Sequence, residues 1–267
     1  MLFIDDSSGC NSEGSANEIS KLEADNAECN CWAIEENCFN PEHSGHYETI
    51  FTLTNGYMGI RGASDCSSAV FRRGTFISGI YDKGEAQVTE IVNCPSFLNF
   101  DLNINGERLD FAKCDILCYN RRLNIKKALL QLNACVSDSF GRVLNIKSTK
   151  MVSTADKRIA VLSVDITPLN FTGSIRFTSE VDATASNYDK SSEREIRHYD
   201  VISDYCSDDG AAVLSIETKD SGTKVNIAVC SGLRYVTCNG LRADRSPVVG
   251  LQKDGASADR SPSVGSQ

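Results

Sequence analysis

The 267-residue sequence predicts a mainly β protein, a large antiparallel β-sandwich, and three observations carry that expectation. Short segments alternate apolar and polar residues with period two, Asn-Gly pairs punctuate them, and almost no stretch sustains the 3.6-residue period of a helix. Length is neutral, because a single sandwich often reaches roughly 200–250 residues.

The first element is a hairpin in which residues 50–54 meet Asn55-Gly56 and return as residues 57–61. An Asn-Gly pair between alternating segments signals a two-residue turn with positive φ. That register pairs Leu53 with Met58 and Phe51 with Ile60, placing apolar partners on one face. A second hairpin, at Asn105-Gly106, pairs Leu102 with Leu109 and Phe100 with Phe111. A helical turn is expected near 123–129. Residues 130–136 then run to a turn over 137–142 and return as 143–148. Further strands are expected over 159–166, ending at Thr167-Pro168, and over 174–180 after Gly173. The last two, 211–218 and 224–230, flank Asp220-Ser221-Gly222.

Three zones organise these elements. Residues 1–31, rich in Ser, Asn, Glu and Asp, lack the apolar surface that offsets ordering entropy and read as a flexible polar leader. Residues 32–240 carry the core. Residues 241–267 form a Ser, Pro, Gly and charge-rich tail, with a near-repeat of 243–250 at 258–265, and read as disordered.

With 41% apolar and 24% charged residues the chain has the profile of a soluble globular protein. A net charge of −9 argues against nucleic acid or an anionic membrane as the partner. A neutral substrate or a protein partner stays open. Twelve cysteines are present, but the N-terminus has no basic region followed by an apolar core, and no apolar run is long enough to span a bilayer. Reduced thiols and a cytoplasmic location follow as expectations. Cys29/Cys31 and Cys114/Cys118 lack a repeated C-x2-C spacing, so buried or incidental thiols are expected rather than metal ligands.

Residues 54–62 form the most distinctive stretch. Gly56, Gly59 and Gly62 fit neither G-x-G-x-x-G nor a P-loop, so they read as turn and close-packing glycines. Arg61 stands apart, since Arg suits bidentate contacts to carboxylate or phosphate. The neighbours Glu35/Glu36 and Asp208/Asp209 point to opposite faces of a strand and cannot form the glycosidase dyad held roughly 5–9.5 Å apart. Solvated surface charge is the expectation for both pairs. His43, His46 and His198 are the only histidines, and no Ser/His or Cys/His arrangement can be built around them. His43 and His46 lack a third metal ligand. Trp32, the sole tryptophan, suits stacking on a sugar, but the strand-like residues after it predict burial in the sandwich.

From Trp32-Ala33-Ile34-Glu35 onward the sequence resembles the N-terminal domain of glycoside hydrolase family 65, which includes the maltose, trehalose and kojibiose phosphorylases and related glycosidases. Residues 48–62 are similar to the family's E-x-x-F-x-x-x-N-G-Y-x-G-x-R-G signature. Residues 74–82 resemble its G-T-Y-x-x-G-x-Y-D strand, 92–97 its V-N-x-P step, and 166–173 a later strand-turn element. The resemblance runs from about residue 32 to about residue 233. It departs at Asn124 and 126–128, where the family tends to L-D-M-x-x-G, and at Lys150, where it favours Arg.

The resemblance implies a sandwich of the super-sandwich type. In full-length relatives it packs on an (α/α)6 barrel holding the general-acid glutamate and the phosphate-binding residues. No position here matches a catalytic residue, and neither a metal nor a cofactor is implied; inorganic phosphate is a co-substrate only of a full-length phosphorylase. The expected partner is the catalytic barrel, missing or separately encoded, with an α-linked disaccharide second. Asn55, Tyr57 and Arg61 are the candidate binding residues, for an interdomain or a sugar contact. The sequence thus reads as a non-catalytic domain of α-glucobiose metabolism, truncated before the barrel and inactive alone. A stand-alone carbohydrate-binding module and a docking subunit are the alternatives.

Overall fold

The structure is a computed structural model in which the described residues are 2–4, 32–66, 68, 71–83, 88–189, 193–207, 210–232 and 248–252. The leader, the tail with its near-repeat, Cys29/Cys31 and Asp208/Asp209 lie outside them, apart from the backbones of two short strands. In chain order the elements begin with β1 (Leu2–Ile4), β2 (Ala33–Glu36), helix α1 (Ser44–Ile50), β3 (Leu53–Thr54), β4 (Met58–Ile60), β5 (Thr75–Asp82) and β6 (Glu90–Cys94). They continue with β7 (Ser96–Ile104), β8 (Glu107–Arg108), β9 (Asp115–Asn124), β10 (Leu129–Ser137), β11 (Val143–Val152), β12 (Ala160–Pro168) and β13 (Gly173–Asp182). The remainder are β14 (Asn187–Asp189), β15 (Arg194–Ile196), β16 (Tyr199–Cys206), β17 (Ala211–Thr218), β18 (Lys224–Cys230) and β19 (Val248–Gln252).

Two five-stranded sheets form the main layers. One is ordered β12-β11-β10-β9-β2; the other is ordered β1-β13-β7-β8, with β19 also on β13. Smaller sheets are β3-β4-β5-β6, β16-β17-β18 and β14-β15. Every pairing among the described strands is antiparallel except β13 with β19. Phe100, Leu102 and Ile104 of β7 face Leu132, Ala134, Leu144 and Ile146 of β10 and β11 across one apolar cluster. A second cluster joins Phe51, Leu53, Met58 and Ile60 to Leu123, Leu130 and Val152 at the far end of the same sheet. A third packs Val92, Cys94 and Val181 against Tyr199, Leu214, Ile216 and Ile227. The expected sandwich is therefore present, with β9–β11 shared by two of its cores. No helix among the described residues is long and apolar enough to cross a membrane.

The Asn105-Gly106 hairpin has the expected register. Asn105 and Gly106 carry φ of 53° and 92°, and the amide of Leu109 donates to the carbonyl of Leu102 at 2.8 Å. Phe111 opens a 3-10 turn instead of pairing with Phe100, yet both are buried in one cluster.

The Asn55-Gly56 hairpin corrects its expectation by two residues: Leu53 pairs with Ile60 and Thr54 with Gly59. Two causes act together. Asn55 Oδ1 accepts from the amides of Tyr57 and Met58 at 3.0 and 2.8 Å, which widens the turn to four residues. Upstream, Asn40 Oδ1 accepts from the Glu42 amide at 2.9 Å with Pro41 at the first helical position, starting a 3-10 turn that leads into α1. Residues 44–50 are thus helical, and Phe51 caps the helix instead of extending a strand. A slip of two keeps the same face, so Leu53 and Ile60 are still buried.

The helical turn expected near 123–129 is instead the β9–β10 hairpin. Asn124 pairs with Leu129 and Ala128 takes a φ of 53°.

Candidate functional site

The signature stretch closes on itself. Glu48, on the buried side of α1, accepts from Arg61 Nε at 3.2 Å and, through its other oxygen, from the Arg72 amide at 3.2 Å. Arg61 Nη2 donates to the Gly45 carbonyl at 2.9 Å, while the Gly62 amide donates to the Glu48 carbonyl at 2.8 Å. An added Cβ on Gly62 would lie 2.5 Å from Phe51 Cβ and from the Phe51 carbonyl oxygen, so the glycine is needed for close approach. Gly56, with φ of 83°, sits in the turn itself.

The three candidate binding residues occupy one end of this element with different duties. Asn55 Nδ2 donates to the carbonyls of Ser153 at 2.6 Å and Lys157 at 3.0 Å, so the side chain staples the turn to the β11–β12 connection. Arg61 is held by α1, with its side chain 29% exposed. Tyr57 turns outward at 37% exposure, and its carbonyl accepts from the Ser78 amide. Of the three, Tyr57 alone presents an open ring, in the turn that Asn55 ties to the β11–β12 connection.

Other family-like motifs also resolve into internal struts. Buried Asn93 accepts from the Thr75 amide at 2.9 Å and donates to the Ser186 carbonyl at 2.9 Å, tying β5 and β6 to the β13–β14 connection. Asp82 accepts from the amides of Asp220 and Ser221 at 3.1 and 2.8 Å. Its other oxygen lies 3.6 Å from His198 Nδ1, and His198 Nε2 lies 3.0 Å from Glu90. Burial pushes the Asp82 carboxyl up, but the hydrogen bonds from Ser221 and Asp220 and the nearby His198 outweigh it and hold the carboxyl below its ordinary value.

Glu36 corrects the expectation of solvated charge: it is 2% exposed, ion-paired with Arg121 at 3.1 Å, and accepts from the Tyr119 hydroxyl at 3.0 Å. Burial holds its carboxyl above the usual value despite Arg121. Glu35, on the opposite face, pairs with Arg122 at 3.4 Å. Between the main layers Lys150 Nζ meets Asp65 Oδ1, whose partner oxygen accepts from Ser148 Oγ at 2.5 Å. On the other face of β7 and β13, Glu180 lies near Asp101, which accepts from Arg108 at 2.9 Å. Burial first, then the Asp101 charge, push the Glu180 carboxyl up to about 7.

Trp32 also departs from expectation, standing 57% exposed where burial was predicted. It precedes β2, an edge strand of its sheet, and so lies beyond the covering layer. His43 Nδ1 lies 3.4 Å from Asn40 Nδ2, and the His46 ring packs on Tyr47. Among the described residues no three His, Cys, Asp or Glu side chains converge as a metal would require. Glu48, Asp82 and Asn93 stand out in the sequence only as members of motifs, His198 only as one of three histidines, and nothing there distinguishes Asp65 or Glu90. Lys150, at an inward position of an alternating strand, was the available signal, since a buried cation requires a carboxylate nearby.

Comparison with known proteins places this architecture. The family described as glycosyl hydrolase family 65, N-terminal domain, matches residues 34–254. A kojibiose phosphorylase of Thermoanaerobacter brockii is 35% identical over 203 residues, covering 76% of this chain and 26% of the relative. An alpha,alpha-trehalose phosphorylase of the same organism is 32% identical over 178 residues, covering 61% of this chain and 23% of the relative. The chain thus spans about a quarter of the length of these curated relatives. A solved structure of a candidate kojibiose phosphorylase from the human microbiome shares the fold, with a TM-score of 0.64 at 18% identity over 80% of this chain and 29% of that one. The chain belongs to glycosyl hydrolase family 65, through that family's N-terminal domain.

Proposed function

We propose that the chain serves as the non-catalytic β-sandwich of a family 65 phosphorylase acting on an α-linked glucobiose, kojibiose first, and that it supports a catalytic barrel. The observation that carries this reading is the internal use of the signature: Glu48, Arg61 and Asn55 all bind the chain itself. A motif built that way fixes a shape for a neighbour and leaves the chemistry elsewhere. On this reading phosphate and the disaccharide meet their residues in the barrel, and Tyr57 lies at the interdomain contact. We place the protein in the cytoplasm, where lasting structural disulfides are rare.

Co-expression with the barrel region of the Thermoanaerobacter brockii kojibiose phosphorylase tests the proposal. The expected result is co-purification, with phosphorolysis of kojibiose in the complex and none by the chain alone. Release of sugar phosphate by the chain alone would sink the non-catalytic reading, and a barrel that does not bind would sink the supporting one. The exposed rings of Trp32 and Tyr57 favour one second reading, a carbohydrate-binding module. Calorimetry with maltose, trehalose and kojibiose decides it, and flat titrations remove it.

A further inference from the structure

Across β9 and β10 the ladder sets Cys118 directly opposite Cys135. Directly opposed residues of an antiparallel pair lie about 4.5 or about 5.5 Å apart at Cα, according to whether they share ladder hydrogen bonds. Both spacings fall inside the roughly 4.4–6.8 Å that a disulfide spans. Leu132, Ala134 and Val136 point into the core, so Cys135 between them points to the outer face, and its opposed partner shares that face. Both thiols are free; Cys118 is exposed and Cys135 half-buried. Beside them Leu117 is skipped by the register, the mark of a β-bulge, and stands 58% exposed. This pair is absent from the signature turn and from the buried ion pairs.

We propose that Cys118 and Cys135 form a thiol–disulfide exchange site whose oxidant is a small-molecule disulfide. The exposed Cys118 thiolate attacks one sulfur of the reagent RSSR; the reagent S–S bond breaks, Cys118–S–SR forms and RS⁻ leaves. Cys135, deprotonated, then attacks Cys118 Sγ, forming the cross-strand disulfide and expelling the second RS⁻. Two protein thiols are oxidised, one RSSR is reduced to two RSH, and the two thiol protons pass to the two leaving thiolates. Burial, together with the adjacent Cys118, pushes the Cys135 thiol up to about 11. Cys118 therefore acts first, and closure by Cys135 quickens as pH rises.

The test uses the full chain incubated with glutathione disulfide, followed by alkylation of remaining thiols and peptide mapping without reduction. Trypsin leaves Cys118 in the peptide 114–121 and Cys135 in 128–142. The expected product is these two peptides linked, in excess of any other linked pair on the order of tenfold. Cys114 shares the first peptide, so Cys114→Ser must keep the link. Cys118→Ser must abolish it, and Cys135→Ser must stop at the Cys118–glutathione mixed disulfide. A persistent mixed disulfide in the unsubstituted chain, or links spread evenly over its cysteines, would overturn the proposal whether or not a variant folds.

Discussion

At the scale of the residue, Arg61 shows how a side chain chosen for anion binding can be engaged internally. Its guanidinium bridges a carboxylate that is 1% exposed and a helix carbonyl 2.9 Å away, so removing it leaves the buried Glu48 carboxyl without its cation and with only the Arg72 amide as donor. Breaking such a pair from one side costs about 3 kcal/mol. Arg61→Ala should lower the urea midpoint accordingly, and Arg61→Lys should recover only part, because an ammonium lacks the planar fork that serves both acceptors. An unchanged midpoint with weakened barrel binding would make Arg61 a recognition residue instead. Glu180 supplies a pH-dependent counterpart. Folded, it keeps its proton to about pH 7; unfolded, it releases it near 4.5. The folded chain therefore binds more protons between those values, and this contribution to stability is full below 4.5 and is lost as pH rises through 7. Glu180→Gln has no proton to lose, so it should gain on the parent by about 2 kcal/mol between about pH 5 and about pH 8. Urea midpoints across that range check it, and a constant difference would reject it. Little of this was legible in sequence: Glu36 and Trp32 were assigned to the wrong environments because strand alternation gives two faces without saying which is covered.

At the scale of the element, sequence legibility depended on what each turn's asparagine does to its own loop. Asn105-Gly106 adopts positive φ at both positions, and although Asn105 Oδ1 accepts from the Ser174 amide at 2.8 Å, that contact leaves the turn two residues long, so the register was readable. Asn55-Gly56 has the same dipeptide, but Asn55 Oδ1 accepts from the amides of Tyr57 and Met58 and widens the turn while Nδ2 binds the carbonyls of Ser153 and Lys157, and the dipeptide alone does not distinguish the two. The helix before it was signalled by Asn40-Pro41-Glu42, a cap and first-turn proline that alternation in residues 50–54 obscured. The Cys118–Cys135 pair was missed for a similar reason: spacing in sequence put Cys118 with Cys114, whereas the ladder puts it across a hairpin. The glycines of the signature should respond unequally to the same change. Gly56→Ala meets no atom within 4 Å and bears only the cost of a left-handed φ, about 1 kcal/mol. Gly62→Ala drives a methyl into the Phe51 backbone, which cannot yield as a side-chain tip would, and should cost about 3 kcal/mol. Equal losses for the two in denaturant unfolding would remove the distinction between turn glycine and packing glycine.

At the scale of the whole molecule, the register of the two main layers is specified by charge as well as by apolar fit. Leu144, Ile146 and Val152 of β11 point into the sandwich, and so do Ser148 and Lys150 on the same face. Both meet Asp65, whose carbonyl accepts from the Phe100 amide of the opposing layer at 2.9 Å. Sliding the layers by one residue would strand an ammonium and a carboxylate in an apolar interior. An ammonium with three donors lets Lys150 serve both Asp65 and the Ala63 carbonyl, 3.3 Å away. Lys150→Met should therefore cost about 3–5 kcal/mol, since it leaves the Asp65 carboxylate buried and unpaired. Adding Asp65→Leu removes the orphaned charge, so the double variant should be more stable than Lys150→Met alone. What it should lose is uniqueness of the layer register, seen as broadened amide resonances and faster hydrogen exchange on β11. A double variant as unstable as the single one, with sharp resonances, would show that the pair contributes stability and leaves the alignment of the sheets to the apolar core.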